Sequence, residues 1–298
     1  MEIDKMKKIG LLFAALLIVG ILSACSKLVQ AVTKENEKSE TQSVSYKTPF
    51  IPIHPYEKSN IDSSVPGVPV LMYHHILRTS ENKKFRNNAA VITPEAFAAQ
   101  MKILHDNGYQ TINLNTLEQY VNRKIKLPKK TVVLTFDDGY LSDFIYASPV
   151  LRRYHFKAAM FLMTGSMKKN PEKFNPDILN HVSWSELPKN SDVFTYEAHA
   201  HHFHRLLGKE SFMVAQPLAA VKNDIHTVKQ LTHSLYFAYP YGQYNLNTIN
   251  ILKEEGFHLA FTTRAGRVYP GSPKFELNRY AVYPYTSLKE FKKIVGIN

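Results

Sequence analysis

Two short segments hold residue types that can do chemistry together. Thr135-Phe136-Asp137-Asp138-Gly139 closes an apolar, β-branched run, Thr131–Phe136, that reads as a buried parallel strand. Adjacent carboxylates at the end of such a strand are costly to desolvate without a cation. Inside a strand they would point to opposite faces. At a turn loosened by Gly139 both can face one cavity, so that one binds a metal while its neighbour stays free as a base. The second segment is Glu197-Ala198-His199-Ala200-His201-His202-Phe203-His204, with four histidines in six positions after an expected strand at Asp192–Tyr196. Two histidines and one aspartate make a three-ligand site with open positions for water, the arrangement metallohydrolases use. Each segment alone has a plainer reading, a surface Asp-Asp-Gly turn or a solvated histidine loop. Glu197 reads as an exposed loop carboxylate.

The elements that must hold these segments are legible from patterning. Val68–Tyr73, Tyr109–Ile112, Thr131–Phe136, Ala158–Met163, Leu235–Tyr239 and His258–Thr263 read as strands. Thr93-Pro94-Glu95 opens a helix with Thr93 as N-cap, an apolar face of Phe97, Met101 and Leu104, and a stop at Asn107-Gly108. Further helices are expected at Leu114–Val121, Leu141–Tyr154, Phe212–Leu231 (with Pro217 a possible interruption) and Leu246–Glu255. Strand and helix alternate, which argues for parallel βα units in a barrel or an open doubly wound sheet. In either, the active site sits at the C-terminal ends of the strands.

TFDDG followed by a histidine pair resembles the polysaccharide deacetylases of carbohydrate esterase family 4. The nearest branch is the exported deacetylases of poly-β-1,6-N-acetylglucosamine, a biofilm exopolysaccharide. Four features carry that resemblance: Val70-Leu71-Met72-Tyr73-His74-His75; the spacing of five between His199 and His204; Phe237-Ala238-Tyr239-Pro240-Tyr241-Gly242; and Leu277-Asn278-Arg279-Tyr280-Ala281-Val282. The resemblance spans Val65 to Val282. It implies an α/β fold, the distorted (β/α) barrel of the NodB-homology type with circularly permuted motif order. It also implies roles. Asp137 is the general base; Asp138, His199 and His204 are metal ligands; the Tyr241 backbone N–H helps hold the oxyanion. His74 is the general acid, with His75 its spare, and Arg279 orients Asp137. The implied cofactor is a divalent ion, zinc first, with cobalt, nickel or iron as options. The implied reaction is hydrolysis of N-acetyl groups on an extracellular N-acetylglucosamine polymer. The alternatives are a deacetylase of peptidoglycan or chitin-like oligomers, and a catalytically weak glycan-binding lipoprotein. Ala198 and Ala200 flank His199 where the branch carries hydroxyls, which removes hydroxyl support for that ligand. Trp184 reads as groove lining or core.

The N-terminus reads as an address. Lys5, Lys7 and Lys8 precede an uncharged apolar run of 14 residues, Ile9–Leu22, and then Leu22-Ser23-Ala24-Cys25. That run is shorter than the ~20 residues of a membrane-spanning helix, and the pattern is that of an export signal. The ending resembles a bacterial lipobox with Cys25, the chain's one cysteine, as the lipidated residue. The expected organisation is a signal peptide at 1–24, a flexible tether at 25–64 and a catalytic domain at 65–298. The expected location is the extracellular face of the bacterial cell membrane, lipid-anchored, as a monomer. No disulfide and no catalytic cysteine can exist in the domain. The net charge of +12 suits an anionic wall or membrane surface. Without a Lys/Arg run, nothing points to nucleic acid.

Overall fold

A computed structural model describes residues 61–62 and 64–297. The expected signal peptide, most of the expected tether, and Cys25 lie outside the described residues. Among those described, no helix is long and apolar enough to cross a membrane.

The sheet is built from β1 (Val68–Tyr73), β2 (Thr131–Phe136), β3 (Ala158–Met163), β4 (Phe194–Ala200), β5 (Tyr236–Ala238) and β6 (Leu259–Phe261). They lie side by side in the order β6-β5-β4-β3-β2-β1, each pair parallel. A short strand, β7 (Tyr280–Ala281), pairs in parallel with β1, and just before it Leu277 bridges to Phe261 at the end of β6. One segment near the C-terminus therefore touches both edges of the curl. This is the distorted (β/α) barrel expected from the sequence.

Strand alternation separates two apolar layers. Val70, Val133, Phe161, Ala238, Phe261 and Leu277 fill the inside of the curl. Helix α2 (Leu114–Val121) closes its lower end with Leu117 and Tyr120. Leu71, Leu134, Phe136 and Met160 face outward. There they meet Phe97, Met101 and Leu104 of α1 (Pro94–Asp106), with Thr93 as its N-cap. Residues of one parity on β1 and β2 thus lead inward to His74 and Asp137 at the strand ends.

Two helices are broken where proline forbids continuity. In place of one helix over Leu141–Tyr154, the backbone widens into a π turn at Asp143–Ala147 before α3 (Ser148–Arg153). Pro149 lacks an N–H and its ring cannot pack against the carbonyl four residues earlier, so the preceding turn opens. Pro217 likewise divides α4 (Phe212–Ala215) from α5 (Leu218–Thr232). A further helix, α6 (Leu246–Glu254), precedes β6, and α7 (Leu288–Val295) follows β7.

β4 needs a correction to the sequence reading. The strand is not Asp192–Tyr196 but Phe194–Ala200, so Glu197 and His199 lie within it. Thr195, Glu197 and His199 share the inner face, while Ala198 and Ala200 face α5 in a third apolar cluster. Polar residues on the inner face hid the strand from a reading based on apolar runs. Glu197 is accordingly buried, not an exposed loop carboxylate. It meets the Ser234 hydroxyl, whose one proton is also aimed at the Tyr236 carbonyl, 2.8 Å away. A protonated Glu197 resolves that competition by donating. Burial pushes its pKa up to about 7.

A raised carboxyl pKa in the folded state stabilises the protein below the unfolded value and loses that contribution as pH rises through the folded one. Glu197→Gln, which mimics the protonated form, should match wild type in urea denaturation near pH 4.5. It should exceed wild type by up to about 3 kcal/mol above pH 7. Parallel stability–pH curves for the two proteins would contradict this protonation state.

Candidate active site

Asp137 follows β2 directly, with its N–H donating to the Tyr73 carbonyl at 2.9 Å. Asp138 then adopts φ 72° and Gly139 φ 69°. Left-handed backbone at a non-glycine residue is uncommon and costs of order 1 kcal/mol or more. Here it turns the chain so that both carboxylates serve one buried site. Gly139 is required by φ and by space, since a Cβ would lie 2.9 Å from Leu162 Cδ2.

The two carboxylates have different partners. Both oxygens of Asp137 accept from Arg279, Nη1 to Oδ1 and Nη2 to Oδ2, each at 2.7 Å. Arg279 is fully buried. Its Nε donates to the Thr262 carbonyl at 2.9 Å and its Nη1 to Thr135 Oγ1 at 3.2 Å. The rings of Phe161 and Phe261 flank the guanidinium, at 5.6 and 6.0 Å. Burial opposes charge on Asp137, but Arg279 outweighs it and holds the carboxyl below its ordinary pKa. His74 Nε2 stands 4.0 Å from Asp137 Oδ2, with its side chain only 13% exposed. Asp137, Arg279 and His74 are therefore brought together.

Asp138 faces the histidines. His199 Nε2 and His204 Nε2 each lie 3.3 Å from Asp138 Oδ1. That oxygen is buried and makes no hydrogen bond. His199 Nδ1 is 2.7 Å from the Ala238 carbonyl. A carbonyl can only accept, so Nδ1 carries a proton and Nε2 is the nitrogen turned toward Asp138; burial opposes charge on the ring, but the carboxylates of Asp138 and Asp137 outweigh it and raise its pKa. Burial pushes the pKa of His204 down to about 4. Burial also resists ionisation of Asp138, but the neighbouring imidazoles overcome it and hold the carboxyl well below its usual range. An unbonded buried carboxylate oxygen facing two imidazole nitrogens offers the donor set that a divalent cation takes. Among the described residues, Asp138, His199 and His204 form such a group.

The alanines beside His199 do not weaken it. They point to α5 on the other face of β4, where a hydroxyl would not reach the histidine. A backbone carbonyl on β5 provides the supporting bond instead. Tyr241 stands at φ 58° just beyond β5, its ring against His204 with centroids 4.4 Å apart. Its hydroxyl donates to the His204 carbonyl at 3.3 Å. His75 is buried with Nδ1 2.7 Å from Ser142 Oγ. Trp184 packs partly buried against the outer layer.

Asp224 escaped the sequence reading. It lies on the buried face of α5 with Val221, Ile225 and Val228. Its carboxylate accepts from the N–H groups of His201 at 2.9 Å and His202 at 2.6 Å. His201 also meets Thr164 Oγ1 through Nδ1 at 2.9 Å and accepts from Gly165 N–H at 2.9 Å. A Cβ on Gly165 would fall 2.2 Å from His202 Nδ1. The two middle histidines are thus anchors of a loop that brings His204 back to His199. The available signal was an aspartate inside a 221/225/228 apolar stripe.

Residues 124–260 match the family model described as polysaccharide deacetylase. The poly-β-1,6-N-acetyl-D-glucosamine N-deacetylase of Staphylococcus epidermidis is 24% identical over 93% of this chain and 93% of its own length. The solved structure of IcaB from Ammonifex degensii is 26% identical, with a TM-score of 0.64 over 78% of this chain and 97% of that one. The Streptococcus pyogenes deacetylase PplD, solved with acetate, shares the fold at 21% identity. Its TM-score is 0.67 over 78% of this chain and 99% of that one.

If the Asp224 carboxylate sets the position of His204, Asp224→Ala should weaken zinc binding by about 10-fold or more while the protein stays folded. Calorimetric titration of zinc into the metal-free variant, beside circular dichroism, measures this. Wild-type affinity would dismiss the anchoring role.

Proposed function

We propose that this chain, which carries a polysaccharide deacetylase domain, is a metal-dependent hydrolase of N-acetyl groups on an N-acetylglucosamine polymer. The observation that carries the reading is the division between neighbouring carboxylates. Arg279 occupies both oxygens of Asp137 while Asp138 Oδ1 is left to His199 and His204. The relatives named for poly-β-1,6-N-acetylglucosamine support that polymer as substrate.

Asp138, His199 and His204 would hold the ion, zinc by donor type, with cobalt, nickel or iron sharing the preference for such ligands. When bound there, the ion supplies Lewis acidity toward the acetyl carbonyl and the attacking water. Asp137, held ionised by Arg279, accepts the water's proton as the C–O bond forms. Its two bonds to Arg279 fix the direction from which that proton is taken. The Tyr241 backbone N–H donates to the developing oxyanion. His74, 4.0 Å from Asp137, gives a proton to the amine as the C–N bond breaks. The products are acetate and a glucosamine unit, and each conversion adds a positive charge to the polymer at neutral pH. Lipid anchoring through Cys25 on the outer face of the membrane completes the reading and rests on residues 1–25 alone. An acyl mass lost in Cys25→Ala is its test.

Acetate release should be measured side by side on poly-β-1,6-N-acetylglucosamine, peptidoglycan and chitin oligomers. Asp137→Asn and His74→Ala should each lower kcat/KM by about 10²-fold or more. The exposed His226→Ala should match wild type, and a chelator should abolish turnover until a divalent ion is restored. Protein that binds the polymer but releases no acetate with added zinc, cobalt or nickel would instead be a glycan-binding lipoprotein.

A further inference from the structure

Alternation along the closing segment reaches beyond Arg279. Tyr280 and Val282 pack against the outer layer, whereas Arg279 faces inward to Asp137. Val282 N–H donates to the Met72 carbonyl at 3.0 Å, so the ladder with β1 runs one residue past β7. Extended by one more residue, that register would bring Tyr283 level with His74, on the parity of Arg279. Tyr285 stacks on Tyr283 with centroids 5.1 Å apart and 13° between planes. It is 68% exposed, the largest exposure among the large apolar side chains described.

The pair is held rigidly. Tyr283 N–H donates to Thr286 Oγ1 and Thr286 N–H to the Tyr283 carbonyl, both at 3.0 Å. Pro284 restricts the residue between the rings. Ser287 then caps α7 by accepting from Glu290 N–H at 3.1 Å. Phe291, fully buried, pins that helix to the outer layer. The turn thus has β7 on one side and a docked helix on the other.

We propose that Tyr283 and Tyr285 form a stacking platform for a pyranose ring of the polymer, next to the sugar being deacetylated and on the His74 side of the mouth. The proposal rests on the polysaccharide reading above. A β-linked N-acetylglucosamine ring presents apolar C–H faces that an aromatic ring can cover, and its ring and acetyl group are uncharged. A rigid, exposed aromatic surface binds such a face with little ordering cost. Its position beyond His74 makes the platform read chain length: a longer oligomer reaches it, and a single sugar at the reacting position does not.

The test is the chain-length dependence of KM on β-1,6-linked N-acetylglucosamine oligomers. In wild type KM should fall as the oligomer lengthens. In Tyr285→Ala that dependence should flatten, with KM for the longest oligomers raised about 3- to 10-fold at retained kcat. Tyr285→Trp should restore it. An alanine variant with wild-type KM on every length overturns the platform, and so does an equal loss on all lengths. If wild type releases no acetate from any such oligomer, the deacetylase reading fails separately. The platform is then judged by calorimetric titration of the longest oligomer into wild type and Tyr285→Ala, where equal affinities overturn it.

Discussion

The buried bidentate pair between Arg279 and Asp137 is the constraint around which the rest is arranged. Taking a guanidinium and a carboxylate out of water costs several kcal/mol per ion, and removing one partner of such a pair costs about 3–5 kcal/mol. The fold meets this by satisfying the arginine on every side, with the Asp137 carboxylate, Thr135 Oγ1, the Thr262 carbonyl and two aromatic faces. The pair in turn sets where Asp137 can face. With that carboxylate committed to Arg279, its neighbour Asp138 is the one turned toward the imidazoles, and the left-handed turn at Asp138 and Gly139 separates them.

Positioning then follows from strand parity and from backbone carbonyls more than from side-chain networks. His74, Asp137 and His199 end or belong to strands whose inner faces share one parity, so they converge at one mouth. His199 is oriented by the Ala238 carbonyl on the neighbouring strand, a partner no substitution at residue 238 other than proline or a distorting one removes. His204 lies beyond its strand and needs a different device. The loop that carries it is tied at His201 and His202 to a helix and to the end of β3. A rigid strand and a tethered loop thus bring two imidazoles to the same oxygen.

What was legible in the sequence was what local patterning encodes. Val68–Tyr73, Thr131–Phe136 and Ala158–Met163 are continuous apolar runs because both faces are buried, and their limits coincide with the observed strands. Thr93 and Pro94 mark a helix start that depends on nothing distant. β4 was misread because its inner face carries the polar residues Thr195, Glu197 and His199, which break the apolar pattern of a buried strand. Asp224 was missed because it caps backbone groups of a loop more than twenty residues earlier, and periodicity does not report partners. The short β7 is invisible as a strand, since two residues pair only because the sheet has already curled. Family motifs pointed to the residues of the site, while the contacts among them had to come from three dimensions.

The closing segment has a temporal meaning. A chain made from its N-terminus presents Asp137 and Asp138 long before Arg279 exists to neutralise one of them. Until Leu277 reaches Phe261 and β7 reaches β1, Asp137 lacks its Arg279 partner. The segment that joins the two edges of the sheet thus also supplies the arginine that neutralises Asp137, so a chain ending before Leu277 would lack both together.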